Sequence, residues 1–296
     1  MSKSITETHN ENLGLIYGLI GVLGFSGTLP ATRIAVTSLD PNFVGLGRGV
    51  LAGIIAVLIL KFTRQPIPHR RYWGSLGIIA VGVIIGFPIL SAWAMRQLPA
   101  SHGAIIAGVL PLATAIAGAL RAGEKPSWGF WIASICGSAT IVIFAVTEGN
   151  GRLHFADLAL MGAVISAALG YAEGGKLSRI LGGWQVICWA LTFAAPILMI
   201  PIAWIVIRNG ISAPHTAWLG FAYVGVVSML LAFFAWYHGL AIGGIARVGQ
   251  LQLLQPFMTI LFSAVFLGEK ITVTTIATAI IVILFVAIGR KQSISL

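Results

Sequence analysis

The tripeptide Gly123-Glu124-Lys125 occurs again, residue for residue, as Gly268-Glu269-Lys270. The offset between the copies is 145 positions, about half of the 296-residue chain. Only eight residues of the chain are acidic, and two of them belong to these copies. A charged motif repeated in so apolar a chain indicates an internal duplication.

Other residues match at the same offset and without a gap. The matches fall on residues that shape helices, whereas chance similarity between apolar segments would pair Leu, Ile and Val. They are Trp73 with Trp218, Pro111 with Pro256, and Thr114 with Thr259. We therefore divide the chain into two halves, residues 1–147 and 148–296.

The composition is that of a membrane protein. Hydrophobic residues make up 58% of the chain and charged residues 9%, against roughly 25% charged residues in soluble proteins. The chain cannot cover a water-facing surface, so lipid is its main solvent. The net charge of +10 lies in short gaps between apolar runs, where it sets topology, and it does not indicate nucleic-acid binding.

Ten apolar runs are each long enough to cross about 30 Å of hydrocarbon as a helix, and too long for barrel strands. Because each half has an odd number of spans, the second half has an inverted topology in the membrane relative to the first. The predicted spans are Leu13–Ala35, Phe43–Leu60, Trp73–Met95, Pro99–Leu120, Trp128–Val146, Phe155–Leu177, Trp184–Ile207, Thr216–Ile242, Ala246–Leu267 and Ile271–Ile288.

Basic residues predict the orientation. With the N-terminus inside, twelve Lys and Arg lie on the inner side and six on the outer side, which favours cytoplasmic N- and C-termini. The six outer residues include Arg48. The first apolar run follows no secretory signal pattern, and we expect it to be a retained helix.

The repeated motif has a local structural explanation. Glycine can end a helix in a left-handed cap, and a glutamate near the next helix start favours the positive end of its dipole. A helix corner and a direct role in gating or coupling both remain open.

The stretches around the motif carry a family resemblance. They are AMRQLPAS (94–101) before the first copy, and FFAWYHGLAIGG (233–244) and QLLQPFMTILFSAVFLGEK (252–270) up to the second. Over nearly the whole chain they resemble the EamA repeats of the drug/metabolite transporter (DMT) superfamily, and most of all its YddG-type amino-acid exporters. The first copy departs from the family in reading RAGEK, with a more polar residue before Ala-Gly.

The resemblance implies an all-α integral membrane fold of ten helices in two inverted five-helix repeats. It also implies export of neutral, aromatic or bulky apolar amino acids and related metabolites across a bacterial-type inner membrane, by alternating access and without a cofactor. The third, fourth, eighth and ninth helices would line a central cavity with the first and sixth.

Charge inside a span would mark function because it is costly there. We find no clear mid-membrane Asp, Glu, Lys or Arg; Glu173 is the nearest, and Lys176 follows at i+3. A snorkelling pair and a proton or amine site both remain open. An uncharged pathway suits neutral or zwitterionic cargo.

The candidate binding residues are polar or aromatic and lie on the expected pore helices. Interhelical hydrogen bonds and interfacial aromatic belts are the alternatives. The candidates are Ser26, Thr28, Trp93, Thr114, Tyr171, Trp236, Tyr237, His238, Gln252, Gln255 and Thr259. Pro30, Pro111 and Pro256 are candidate hinges, with static kinks as the alternative.

Other function classes fit less well. Cys136 and Cys188 lie in apolar runs with no metal-ligand spacing, so no metal site is expected. The six histidines are scattered along the chain and we expect none of them to pair with an Asp, which disfavours a lipid-modifying enzyme. An exporter of drugs or lipophilic cations would need a buried carboxylate to bind the positive charge of its cargo. We expect a small-molecule substrate and lipid as partners, and no obligatory ion; nothing in the sequence indicates an oligomeric state.

Overall fold

The computed structural model describes residues 5–122, 125–148, 154–243, 248–291 and 294–295. These ranges hold fourteen α-helices. They are α1 (Ile5–Ser26), α2 (Thr28–Val36), α3 (Pro41–Phe62), α4 (Trp73–Ile79), α5 (Phe87–Gln97), α6 (Ala100–Ala107), α7 (Leu110–Ala122), α8 (Trp128–Glu148), α9 (Phe155–Leu181), α10 (Gly183–Asn209), α11 (His215–Ala222), α12 (Ala232–Gly243), α13 (Gln255–Leu267) and α14 (Val273–Lys291).

Other local structure connects the α-helices. A 3₁₀-helix, Arg70–Tyr72, leads into α4, and a second, Gln250–Leu254, leads into α13. Two strands of two residues each, β1 (Lys125–Pro126) and β2 (Ile294–Ser295), pair in antiparallel fashion. The first Gly-Glu pair of the repeated motif, Gly123-Glu124, lies outside the described residues.

Seven helical stretches of the described residues are long and apolar enough to cross a membrane. They are Asn12–Val36, Pro41–Phe62, Arg70–Gln97, Ala100–Leu120, Phe155–Leu181, Gly183–Asn209 and His215–Gly243. Gln255–Leu267 and Val273–Phe285 are shorter apolar helices. The chain is therefore an all-helical multi-pass protein, while the count of ten spans stays a prediction.

Two predicted spans contain a segment of π-helix. Ala80–Gly86 joins α4 to α5, and Tyr223–Leu231 joins α11 to α12. Each ends in a bond to the fifth residue back, from Phe87 N–H to the Gly82 carbonyl and from Ala232 N–H to the Val227 carbonyl. Shifting the first segment by 145 gives positions 225–231, so the widened turns occupy matching places in the two halves.

The main helix contacts run between the two halves of the chain. α1 packs on α12, α3 on α10, α8 on α14, and α9 on both α5 and α7. Small residues permit the closest approaches: a Cβ at Gly14 of α1 would lie 2.4 Å from the Gly243 Cα of α12. Close backbone contact of this kind is how helices associate in lipid.

Candidate functional site

A central cavity lies where α3, α9, α13, the α1–α2 junction and both π segments meet. Its free volume is about 20 Å³, enough for about one water molecule. The lining residues are Phe25, Thr28, Arg48, Val83, Phe87, Ala167, Tyr171, Ser228, Met229, Phe233 and Gln255. The cavity is narrow, and a larger occupant requires its walls to move apart.

Aromatic rings from both halves form one wall of the cavity. Phe25 of α1 stacks on Tyr171 of α9 with ring centroids 6.0 Å apart, and meets Phe233 of α12 edge-on at 4.9 Å. Trp236 lies behind them, 5.8 Å from Tyr171, and is fully buried. Tyr237 is equally buried and donates its hydroxyl to the Gly170 carbonyl at 3.2 Å. The structure thus brings together Tyr171, Trp236 and Tyr237, of which Tyr171 lines the cavity; their role in binding stays a prediction.

Arg48 is the residue that the sequence analysis misassigned. It lies on α3, only 2% exposed, with its Cζ 5.8 Å from the centroid of the Phe87 ring. Its Nε has no hydrogen-bond partner in the described part of the chain. A buried arginine therefore lines the cavity, where we expected no charged residue. The sequence analysis counts Arg48 among the basic residues outside the spans. Its position within the predicted span Phe43–Leu60 could have indicated that it is buried.

The first predicted span breaks at Gly27, and side chains from the other half cover the break. Thr28 Oγ1 and Ser228 Oγ share a hydrogen bond of 2.7 Å. Thr259 Oγ1 donates to the Ser26 carbonyl at 2.9 Å, and the Tyr223 hydroxyl to the Gly24 carbonyl at 3.1 Å. Since their hydroxyls already have protein partners, Thr28 and Thr259 fit the interhelical alternative.

Four predicted site residues have a buried polar atom without a partner within the described ranges; three of these residues are buried and Gln255 is half-buried. Gln252 is 1% exposed with both amide atoms unpartnered, and Thr114 Oγ1 and Trp236 Nε1 also lack partners. Gln255 Oε1 is unpartnered and lies at the cavity. Buried polar atoms without partners are costly, so Gln255 stands out as a group with free bonding capacity where a ligand would lie.

Trp93 and His238 do not reach the cavity. Trp93 is 42% exposed and donates Nε1 to Asn42 Oδ1 at 2.9 Å. His238 is exposed and meets the Tyr17 ring edge-on at 4.6 Å. It follows buried Tyr237, and one step along a helix turns a side chain by about 100°. These contacts fit the interfacial alternative.

The three predicted hinge prolines sit in first turns of helices. Pro30 is the third residue of α2, Pro111 the second of α7, and Pro256 the second of α13. Proline is well tolerated there, because those N–H groups lack intrahelical acceptors. The expected mid-helix positions are therefore breaks between consecutive helices.

Glu173 is buried on α9 and does not line the cavity. It is 3% exposed and accepts a hydrogen bond from Ser75 Oγ of α4 at 2.5 Å. Lys176 is exposed. Glu173 thus lies between the third and sixth predicted spans.

The glutamate of the second Gly-Glu-Lys copy binds a distant helix. Glu269 Oε1 accepts from Ala100 N–H at 2.8 Å, and Oε2 from Ser101 N–H at 2.9 Å. Its carboxylate therefore caps α6 in the other half, which corrects our expectation of a cap on the next helix. Gly268 has φ +65°, which confirms the left-handed helix end.

A second contact between halves lies beside this cap. His102 Nε2 of α6 and Asp157 Oδ1 of α9 are 2.8 Å apart, and both are nearly buried. Asp157 also accepts from His154 N–H at 2.9 Å, which caps α9. The expectation that none of the histidines pairs with an Asp is wrong, because His102 and Asp157 are far apart in sequence and meet here. We call this region, with its cavity of about 480 Å³, the Glu269 end.

Comparison with known proteins places the chain in a family. It matches the EamA-like transporter family twice, over residues 12–146 and 154–288. It is 47% identical over 279 residues to a Bacillus subtilis (strain 168) protein described as uncharacterized transporter YdeK, covering 94% of this chain and 97% of that protein. The aromatic amino acid exporter YddG of Ancylobacter novellus is 23% identical and covers 75% of each chain.

A solved crystal structure shares the fold. It covers 94% of this chain and 96% of its own, with a TM-score of 0.66 and 15% identity. The chain belongs to the EamA-like transporter family of the DMT superfamily, and it is a transporter and not an enzyme.

Proposed function

We propose that this member of the EamA-like transporter family exports neutral amino acids with aromatic or bulky apolar side chains across the inner membrane. The observation that carries the proposal is the aromatic wall formed by Phe25, Tyr171 and Phe233 at the central cavity. Ring faces and edges are well suited to bind apolar and aromatic groups. Two relatives support this cargo class. One is the aromatic amino acid exporter YddG of Ancylobacter novellus. The other is a protein of Streptantibioticus cattleyicolor whose name is "Probable terminal-alkyne amino-acid exporter"; it is 22% identical over 256 residues, covering 85% of this chain and 84% of its own.

The proposed architecture is ten membrane helices in two inverted halves, 1–147 and 148–296, with both termini cytoplasmic. The double family match and the matching π segments support the duplication. An inverted repeat offers two similar pathways that open on opposite sides, which is how many secondary transporters alternate access.

The cavity must widen to accept cargo, since about 20 Å³ is far too little for an amino acid. Helices of both halves are interrupted, at Gly27, before Pro111 and before Pro256. In the proposal these breaks are the hinges. Pro111→Ala and Pro256→Ala should then slow transport while leaving its half-saturating concentration nearly unchanged; unchanged rates would favour static kinks.

Export of lipophilic cations is the second candidate, and Glu173 is the observation that favours it. This carboxylate is buried between helices. However, Arg48 and not Glu173 lines the central cavity, and a buried arginine repels a cation. A transport defect in Glu173→Gln confined to cationic cargo would favour this candidate.

Counterflow of labelled phenylalanine in proteoliposomes tests the proposal. Unlabelled apolar amino acids should compete, whereas lipophilic cations and sugars should not. Because no obligatory ion is proposed, dissipating the proton gradient should leave counterflow unchanged. Well-folded protein that exchanges no apolar amino acid would refute the cargo class.

A further inference from the structure

Arg48 carries a charge that the described protein does not neutralise. The side chain is 2% exposed, its Nε is unpartnered, and no carboxylate in the described ranges forms an ion pair with it. Its Cζ lies 5.8 Å from the centroid of the Phe87 ring. An unpaired charge in an apolar interior is among the costliest features a protein can hold. An anion from outside the chain would remove that cost.

The groups around Arg48 define which anion would fit. A guanidinium presents a planar fork of donors that matches a carboxylate with two parallel hydrogen bonds. Phe25, Tyr171 and Phe233 share the cavity, and none of its described lining residues is acidic. Gln255 Oε1 adds a neutral acceptor without a partner. The cavity therefore combines a carboxylate receptor, an apolar wall and an uncharged acceptor.

We propose that Arg48 binds the carboxylate of the cargo, that the three rings hold its side chain, and that Gln255 Oε1 accepts a hydrogen bond from its ammonium group. This rests on the proposed function and defines which groups of the cargo the site requires. The carboxylate is essential and the ammonium is dispensable, because only the carboxylate meets an opposite charge. The cargo class is apolar carboxylates, and amines without a carboxylate are excluded.

Analogues of one cargo separate these requirements. Phenylpyruvate keeps the carboxylate and lacks the ammonium group, whereas phenethylamine keeps the ammonium group and lacks the carboxylate. As competitors of phenylalanine counterflow by the wild-type protein, phenylpyruvate should act within a few-fold of phenylalanine. Phenethylamine should be weaker by about 10- to 100-fold, the range of a charge-assisted hydrogen bond.

Variants locate the effect at Arg48. Arg48→Met should lose binding by a similar factor, and Arg48→Lys should retain part of it, since the charge stays and the fork is lost. Arg208→Gln is the matched control, because Arg208 is exposed at the end of α10. Binding is read from the rise in melting temperature with added phenylalanine or phenylpyruvate.

The melting temperature of the ligand-free protein separates a binding role of Arg48 from a structural role. If Arg48 held the fold together, its replacement would lower that temperature. Replacing an unpaired buried charge by an apolar side chain of similar length is often neutral or stabilising. Without ligand, Arg48→Met should therefore melt at or above the wild-type temperature. A clear fall in melting temperature in the ligand-free variant would overturn the inference.

The two proposals fail in different ways. Phenylalanine exchange that is unaffected in Arg48→Met, or blocked equally by phenethylamine, refutes the carboxylate site and leaves the exporter proposal standing. Arg48-dependent exchange of phenylpyruvate without exchange of phenylalanine keeps the site and refutes the amino-acid cargo. If neither carboxylate stabilises the wild-type protein, the carboxylate site is refuted.

Discussion

Glu269 offers the most direct perturbation of the contact between halves. Its carboxylate accepts two backbone N–H groups at the start of α6, at 2.8 and 2.9 Å. The first N–H groups of a helix have no intrahelical acceptor. Glu269→Ala leaves both without this partner and removes a negative charge from the positive end of the helix.

The expected cost follows from the geometry. Losing a helix cap costs about 1 kcal/mol, and hydrogen bonds to charged groups contribute about 1.5–3 kcal/mol. Glu269 is only partly buried and water can replace some of the bonding, so we expect about 1–2 kcal/mol at this exposure. That corresponds to a melting temperature lower by about 2–6 °C. Glu269→Gln should melt between the wild-type protein and Glu269→Ala, because its amide has one acceptor oxygen.

The assay is thermal unfolding of purified protein in detergent. Lys270→Ala is the matched control, because Lys270 is the next residue at the same corner and is exposed. If Glu269→Ala and Lys270→Ala melt together at the wild-type temperature, the cap contributes nothing and the reasoning is wrong.

Three further results are expected. In a double-mutant cycle, His102→Gln and Asp157→Asn should each destabilise by about 1–3 kcal/mol and combine non-additively, because they share one buried bond; additive costs would contradict the contact. Gly183→Ala should lower the melting temperature, since a Cβ there would lie 2.4 Å from the His238 backbone nitrogen. Gly77→Ala is the control: a Cβ at Gly77 would meet nothing within 4 Å, so this variant should be neutral or stabilising. Tyr171→Ala should raise the half-saturating phenylalanine concentration about tenfold, from lost ring contacts and burial, while Tyr171→Phe stays near wild type; equal counterflow by both would place the cargo elsewhere.

The membrane helices were predictable because apolar runs report directly on lipid-spanning segments. Tyr171 and Trp236 were candidates because they lie in a polar break and in an aromatic cluster of expected pore helices; the structure places their rings 5.8 Å apart, and their role in binding stays a prediction. Arg48 was missed because its position five residues into a predicted span resembles that of a flanking charge.

Other features depend on contacts between residues distant in sequence. The His102–Asp157 pair and the cap by Glu269 each join segments more than fifty residues apart. The π segments leave no pattern that we recognised in the sequence. Such features follow from packing, which a single sequence does not specify locally.

The central claim is that the cavity between the halves binds an apolar amino acid with its carboxylate at Arg48. An experimental structure of the protein in lipid nanodiscs with phenylalanine bound tests this most directly. The account predicts the carboxylate within hydrogen-bonding distance of the Arg48 guanidinium and the ring among Phe25, Tyr171 and Phe233. Phenylalanine bound elsewhere, for example in the cavity at the Glu269 end, with Arg48 still unpaired, would contradict it.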